Sequence, residues 1–239
     1  MDDNKDDYSL FPRRHIDAIV ENKDGNYFIP VLSEVLTEIN DPHYVCDVGC
    51  GNGLYSIVLK EQIDCHLVGV DGSNYALDKA KKIGFDEAHY VGDLSNDSLP
   101  FADESYDLVI CKDVLEHLLD PSHLVSEISR IIKPGGYCLL HVPNHFPLIG
   151  RIRILFNNNI DTFDYFPDSN RWDFPHIRFF DKASLLKLAE IHKLSISLDL
   201  SWHFFRPARV SKYIPWLAHI LGNRYSDLTS EGISLLLKK

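Results

Sequence analysis

The sequence predicts an α/β protein built on an open, mostly parallel sheet, and three observations carry that expectation. From Tyr44 onward short apolar runs alternate with segments of helical periodicity, the pattern of successive β-α-β units. The first apolar run ends in Asp47-Val48-Gly49-Cys50-Gly51-Asn52-Gly53, where glycine at every second position suits a tight turn from strand to helix. The next runs end in acids, Asp71 and then Asp93, at the strand carboxyl ends where open sheets bind their ligands.

The elements follow in order. Residues Met1 to Asp41 read as an acidic tail and one or two helices, including Phe28 to Ile39, that cap a domain spanning 42–239. Strands are expected at Tyr44–Val48, His66–Val70, Ala88–Val91, Tyr106–Cys111 and Tyr137–Val142, with right-handed crossovers through helices at Leu54–Gln62, Tyr75–Ile83 and Ser122–Ile132. Lys133-Pro134-Gly135-Gly136 is a turn signal between the last of these helices and the fifth strand. The pattern then lapses over 143–180, rich in aromatics, Asn, Asp and Pro, which reads as an insertion over the site. A helix at Lys182–Ile191, a strand at Leu194–Leu200, a second insertion at 202–230 with a helix at Pro215–Leu221, and a strand at Gly232–Leu237 complete seven strands.

Composition is that of an ordinary globular domain, 45% hydrophobic and 25% charged. Lys and Arg number 24 against 35 Asp and Glu, a net charge of −11 that opposes a nucleic-acid partner. No apolar stretch is long enough to span a membrane, and the polar, acidic Met1–Asp7 does not read as a secretory leader. Five cysteines, odd in number and without a C-x-x-C pair, read as reduced thiols in a cytoplasmic protein.

The spacing of Gly49, Gly51 and Gly53 is G-x-G-x-G, not the G-x-G-x-x-G of a dinucleotide turn, which argues against a nicotinamide oxidoreductase. A carboxylate at Asp47 suits a ligand carrying positive charge, such as a sulfonium and an α-ammonium, better than a diphosphate. Asp71 is placed to accept both hydroxyls of a ribose, and Asp93 with Leu94 to offer an acid to an adenine amino group and an apolar wall to its ring.

With Leu99-Pro100-Phe101, Tyr106 to Cys111, Val114-Leu115-Glu116-His117, Leu124 to Ile132 and Lys133-Pro134-Gly135-Gly136 added, the ordered set over Tyr44 to Pro143 resembles the class I S-adenosylmethionine-dependent methyltransferases. The resemblance implies a Rossmann-like, seven-stranded sheet with helices on both faces, an antiparallel last strand, and S-adenosyl-L-methionine as cofactor. It implies that Asp71 with Gly72 and Ser73 holds the ribose and Asp93 with Leu94 the adenine. Asp47, Gly49, Cys50, Gly51 and Gly53 would line the methionine part. Cys111 and Lys112 would flank the cofactor on the acceptor side, with the Lys112 ammonium turned away from the cationic ligand.

Methyl transfer from a sulfonium requires alignment, water exclusion and, for a hydroxyl acceptor, a base. Asp113 to His117 follows the fourth strand, where 113 and 116 or 117 would share a face of a helical turn, and His117 with Glu116 and the later His176 are the catalytic candidates. The bland alternative is that Glu116 and His117 hydrogen-bond neighbouring loops. Metal-dependent relatives that methylate the 3′ end of small RNAs carry a similar segment, and by that resemblance Asp113, Glu116, His117 and His176 would hold Mg²⁺ against a vicinal diol. The aromatics Phe146, Phe156, Phe163, Tyr165, Phe166, Trp172 and Phe174 are the expected acceptor wall, and Arg151, Arg153, Arg171 and Arg178 could meet an acidic group on the acceptor. Tyr8, His15 and Tyr27 would cover the cofactor from above. The expected acceptor is a small molecule methylated on oxygen, a sugar or other secondary metabolite. The alternatives are the metal-dependent diol reaction and an S-adenosylmethionine-binding protein without catalysis.

Overall fold

The computed structural model describes residues 28–157, 176–204 and 225–239. The expected helix at 215–221, the aromatics Phe163, Tyr165, Phe166, Trp172 and Phe174, Arg171, and Tyr8, His15 and Tyr27 lie outside them.

A first helix, α1 (Ile29–Glu38), leads into β1 (Tyr44–Val48), and β2 (His66–Asp71), α2 (Asn74–Ile83) and β3 (Glu87–Tyr90) complete the first half. The second half runs β4 (Tyr106–Lys112), α3 (Pro121–Ile131), β5 (Ile132–Pro143), α4 (Leu148–Asn157), α5 (Lys182–Ile191), β6 (Ser195–Asp199), α6 (Ser226–Thr229) and β7 (Gly232–Lys238). All seven strands form one sheet in the order β3-β2-β1-β4-β5-β7-β6. β1 pairs with both β2 and β4 in parallel, whereas β7 is antiparallel to both β5 and β6. The strand order reverses between β1 and β4, which puts the crevice for a ligand at the carboxyl ends of those two strands. No helix among the described residues is long and apolar enough to cross a membrane.

Side-chain alternation sends the strands into two cores. Cys46, Val48, Val109, Cys111, Leu140 and Val142 pack with Leu124, Val125 and Ile128 of α3 and Leu185 and Ala189 of α5. Val45, Leu108, Ile110, Leu139 and Leu236 face the other way, against Phe28, Val31, Leu32 and Val35 at and within α1. The helices start where their caps dictate. Ser73 accepts from Ala76 N at the head of α2, Asp120 accepts from Ser122 N and His123 N ahead of Pro121 in α3, and Asp181 and Ser184 form a capping box on α5.

Three elements differ from expectation. The helix expected over Leu54–Gln62 is a short 3-10 helix, Ile57–Glu61, because Ser56 at its start turns its hydroxyl inward to Asp47 and caps nothing, and β-branched Ile57 and Val58 follow. Pro134-Gly135-Gly136 does not precede the fifth strand but bulges within it: Ile132 pairs with Tyr106, pairing resumes at Tyr137 with Leu108, and Gly135 takes φ 79°. The stretch after β5 holds a regular helix, α4, with Leu155 73% and Phe156 77% exposed.

Candidate active site at the carboxyl edge of the sheet

The glycine turn after β1 is held from β2. Gly49 N and Cys50 N both donate to Val70 O, and Asp71 at the end of β2 accepts from Gly51 N at 2.8 Å and Ser73 N at 2.9 Å. Gly49, Gly51 and Gly53 all have positive φ, 74°, 53° and 78°, a conformation that costs any other residue. Their surroundings sort them into two uses. A Cβ on Gly49 would lie 2.2 Å from Val114 and one on Gly53 2.4 Å from Phe85, so these two glycines let the turn pack onto the protein. A Cβ on Gly51 would meet nothing within 4 Å. That open cradle, with Asp71 beside it, fits a ligand lying across the turn with hydroxyls towards the acid.

Asp47 lies beneath the turn, 5% exposed, accepting a hydrogen bond from Ser56 Oγ. Burial pushes its carboxyl up to about 7, against the Ser56 hydrogen bond, and nearby Asp71 adds to the rise. Such a carboxyl ionises readily once a cation arrives, which fits a ligand with an ammonium or sulfonium group. Asp93 serves its own turn as well, accepting from Ser95 N at 2.8 Å and Asn96 Nδ2 at 2.7 Å, and these bonds hold it below the usual carboxylate range. Leu94 packs partly buried beside it, and Gly72 passes close to Val91 O. Cys50 and Cys111 are buried, and burial pushes both thiols far up, so neither is a nucleophile.

Lys112 turns into the protein. It is 8% exposed, pairs with Asp113, and lies 4.1 Å above the Tyr55 ring and 5.6 Å from that of Phe28. The strand period explains the placement, since Asp47, Lys112 and His141 point to the α1 face and Lys112 pairs in register with His141. His141 Nε2 lies 3.4 Å from Asp113 Oδ1, Nδ1 has no hydrogen-bond partner, and burial takes the ring down to about 4.

Asp113 takes φ 53°, and the segment after it is a 3-10 helix, Leu115–His117. The positive φ turns Asp113 back onto Lys112 and His141, which outweigh burial and hold its carboxyl below the usual range, while Glu116 goes inward. The two acids thus do not share a face. Glu116 is fully buried, neither carboxyl oxygen has a hydrogen-bond partner, and burial followed by the charge on Asp113 pushes it well above the usual range. His117 Nε2 stands 3.8 Å from Glu116 Oε1, and His176 packs edge-on against His117 with ring centroids 4.8 Å apart.

Backbone bonds bring His176 here: Ile177 N and Arg178 N both donate to Glu116 O, and Arg178 donates to Leu119 O. Glu116, His117 and His176 thus offer ligand atoms within 4.8 Å of one another, and Asp113 is not part of that group. His145 was not distinguished in sequence because its contact with His176 joins positions 31 apart with no spacing rule. Lys112 and His141 were readable, as both occupy the parity of Asp47 at strand ends.

Comparison with known proteins finds a family match over part of the chain. Residues 46–140 match the family described as Methyltransferase domain. A ubiquinone biosynthesis O-methyltransferase of Shewanella pealeana is 31% identical over 103 residues, 42% of this chain and 43% of that protein. The chain thus spans less than half the length of the curated relatives it matches first. Among solved structures, a SAM-dependent methyltransferase from Archaeoglobus fulgidus aligns with TM-score 0.62 at 16% identity, covering 95% of this chain and all of that one. The putative methyltransferase solved with the Haloferax volcanii Trm112 activator aligns with TM-score 0.60 at 19% identity, over 94% of this chain and 97% of that one.

Proposed function

We propose that the chain, whose residues 46–140 match the methyltransferase domain family, is a class I S-adenosylmethionine-dependent methyltransferase that moves a methyl group from S-adenosyl-L-methionine to an oxygen of a small molecule, a sugar or other secondary metabolite. The observation that carries this reading is Glu116, buried without a partner beside His117 just past β4, on the same sheet edge as the open cradle at Gly51. The O-methyltransferase of Shewanella pealeana and the net charge of −11 support a small acceptor with a hydroxyl. Five buried, unpaired cysteines support a cytoplasmic setting.

S-adenosylmethionine, when bound, supplies an electrophilic methyl group. Asp71, with Gly72 and Ser73, would hold the ribose hydroxyls, Asp93 and Leu94 would receive the adenine, and Asp47, Gly49, Cys50, Gly51 and Gly53 would receive the methionine part. Cys111 and Lys112 floor the site, the charge of Lys112 being offset by Asp113. His117 takes the proton of the acceptor hydroxyl, with the Glu116 carboxyl 3.8 Å from its Nε2. The test is transfer of a labelled methyl group to a panel of sugars and phenols: His117→Ala should lose about 10²–10⁴-fold while still binding S-adenosylhomocysteine. Cofactor binding with no transfer to any acceptor or cell extract would instead support a non-catalytic binder. The Mg²⁺-dependent diol reaction has the grouping of Glu116, His117 and His176 in its favour, and indifference of transfer to chelator would exclude it.

A further inference from the structure

A cation inside a protein needs a physical reason, and Lys112 is the one buried lysine or arginine among the described residues. Its partner does not supply the reason. The side chain of Asp113, with which it pairs, is 40% exposed and open to solvent, whereas Lys112 is buried. An apolar side chain of similar volume at 112 would avoid desolvating a charge, so stability alone does not favour a lysine here. Its ammonium is nonetheless closely placed, 4.1 Å from the centre of the Tyr55 ring, two residues past Gly53, and 5.6 Å from that of Phe28, just ahead of α1.

Strand alternation decides which part of a ligand Lys112 meets. Asp47 near the end of β1 and Lys112 at the end of β4 both point to the α1 face, and the two strands are paired neighbours. Burial raises the Asp47 carboxyl, and the charge of Lys112 works against that rise. That charge reaches Glu116 as well, but less than burial and Asp113 do, and the segment carrying Glu116 packs Val114 and Leu115 into the opposite core. The parity shared with Asp47 and the contact with Tyr55 thus put Lys112 beside the glycine turn. A buried acid and a buried base on adjacent strands complement an α-amino acid, which carries its ammonium and its carboxylate on one carbon.

We infer that Lys112, held on the ring of Tyr55, receives the carboxylate of the amino-acid part of the cofactor, with Asp47 serving the ammonium of the same part. The inference rests on the proposed S-adenosylmethionine-dependent reaction. That carboxylate is the one anionic group of S-adenosylmethionine, and so the one group that a buried cation attracts; the sulfonium and the ammonium are repelled by it. Lys112 thereby sets the orientation in which the methionine part lies along the turn. A lysine is a compact charge on a flexible stem and can meet Asp113 and a second carboxylate together.

The test is calorimetric titration of the full chain with S-adenosylhomocysteine and with its decarboxylated analogue, which keeps the adenosine, the sulfur and the amine and has hydrogen in place of the carboxylate. The unsubstituted protein should bind S-adenosylhomocysteine about tenfold or more tighter than the analogue. Lys112→Met should lose about that factor for S-adenosylhomocysteine and bind the analogue as tightly as before or more so, because the charge left on the analogue is positive. Binding of the analogue also shows that the variant is folded, and Lys112→Gln is read in the same way should Lys112→Met not fold. An equal loss on both ligands, or an unchanged S-adenosylhomocysteine affinity, would overturn the inference. If the unsubstituted protein binds both ligands equally, the assignment of Lys112 fails and the methyltransferase reading stands; if it binds neither, both fail.

Discussion

Asp47 and Glu116 are buried carboxyls that the ligand-free protein holds more easily as acids than as anions. For Asp47 the folded value is raised from 3.8 to about 7, so its contribution to stability is full below 3.8 and is lost as pH rises to 7. A change of that size corresponds to on the order of 4 kcal/mol. Asp47→Asn should therefore gain stability relative to the unsubstituted protein as pH rises from about 4 to about 8, compared by urea unfolding without ligand; an equal difference at both pH values would show that the carboxyl ionises freely. Glu116→Gln removes an uncompensated buried acid and should raise Tm at neutral pH while cutting methyl transfer by about 10²-fold or more. A lower Tm would mean that the carboxyl has a partner in the folded chain. Both acids were visible in the sequence, Asp47 at a strand end and Glu116 in the segment after the fourth strand, whereas their protonation was not, because it follows from burial.

At the scale of elements, the strand-turn-strand register was legible because it is local. The apolar run 44–48 and the capped helices at 74–83 and 182–191 formed nearly as expected. What was not legible depended on partners far along the chain: Ser56 turning inward to Asp47, the bulge at Gly135 and the fastening of 177–180 to Glu116. The turn after β1 makes a sharp prediction, since its glycines are not equivalent. Gly53→Ala drives a Cβ into Phe85 at a positive φ and should cost about 2–5 kcal/mol of stability in urea unfolding. Gly51→Ala has only the φ penalty of about 1–2 kcal/mol, yet should weaken S-adenosylhomocysteine at least about tenfold by calorimetry. Equal loss of stability in both would mean that the space above Gly51 is not open.

At the scale of the molecule, His141, His145 and His176 among the described residues are buried near the same sheet edge, His141 and His145 at about 4 and His176 at about 3, against 6.5 when unfolded. Their folded values are lowered, so stability is full above 6.5 and is lost as pH falls towards 4, where the unfolded chain binds protons that the folded chain refuses. Asp47 and Glu116 act in the opposite sense, holding protons the unfolded chain would release. The slope of stability against pH between about 4.5 and 6.5 should therefore be shallow and positive, and should steepen in Asp47→Asn; a slope that flattens would assign the histidines ordinary exposure. The sheet order, finally, bears on how such a protein is made. β7 lies between β5 and β6, both of which precede it in the chain, and pairs with each. Until Gly232–Lys238 has been synthesised and inserted, the edge of β5 that carries Leu139, Leu140 and Val142 is unpaired, and β6 has no strand beside it. The interval between translating β6 and seating β7 is therefore when nascent copies are most prone to join one another, and when a chaperone would have most to cover.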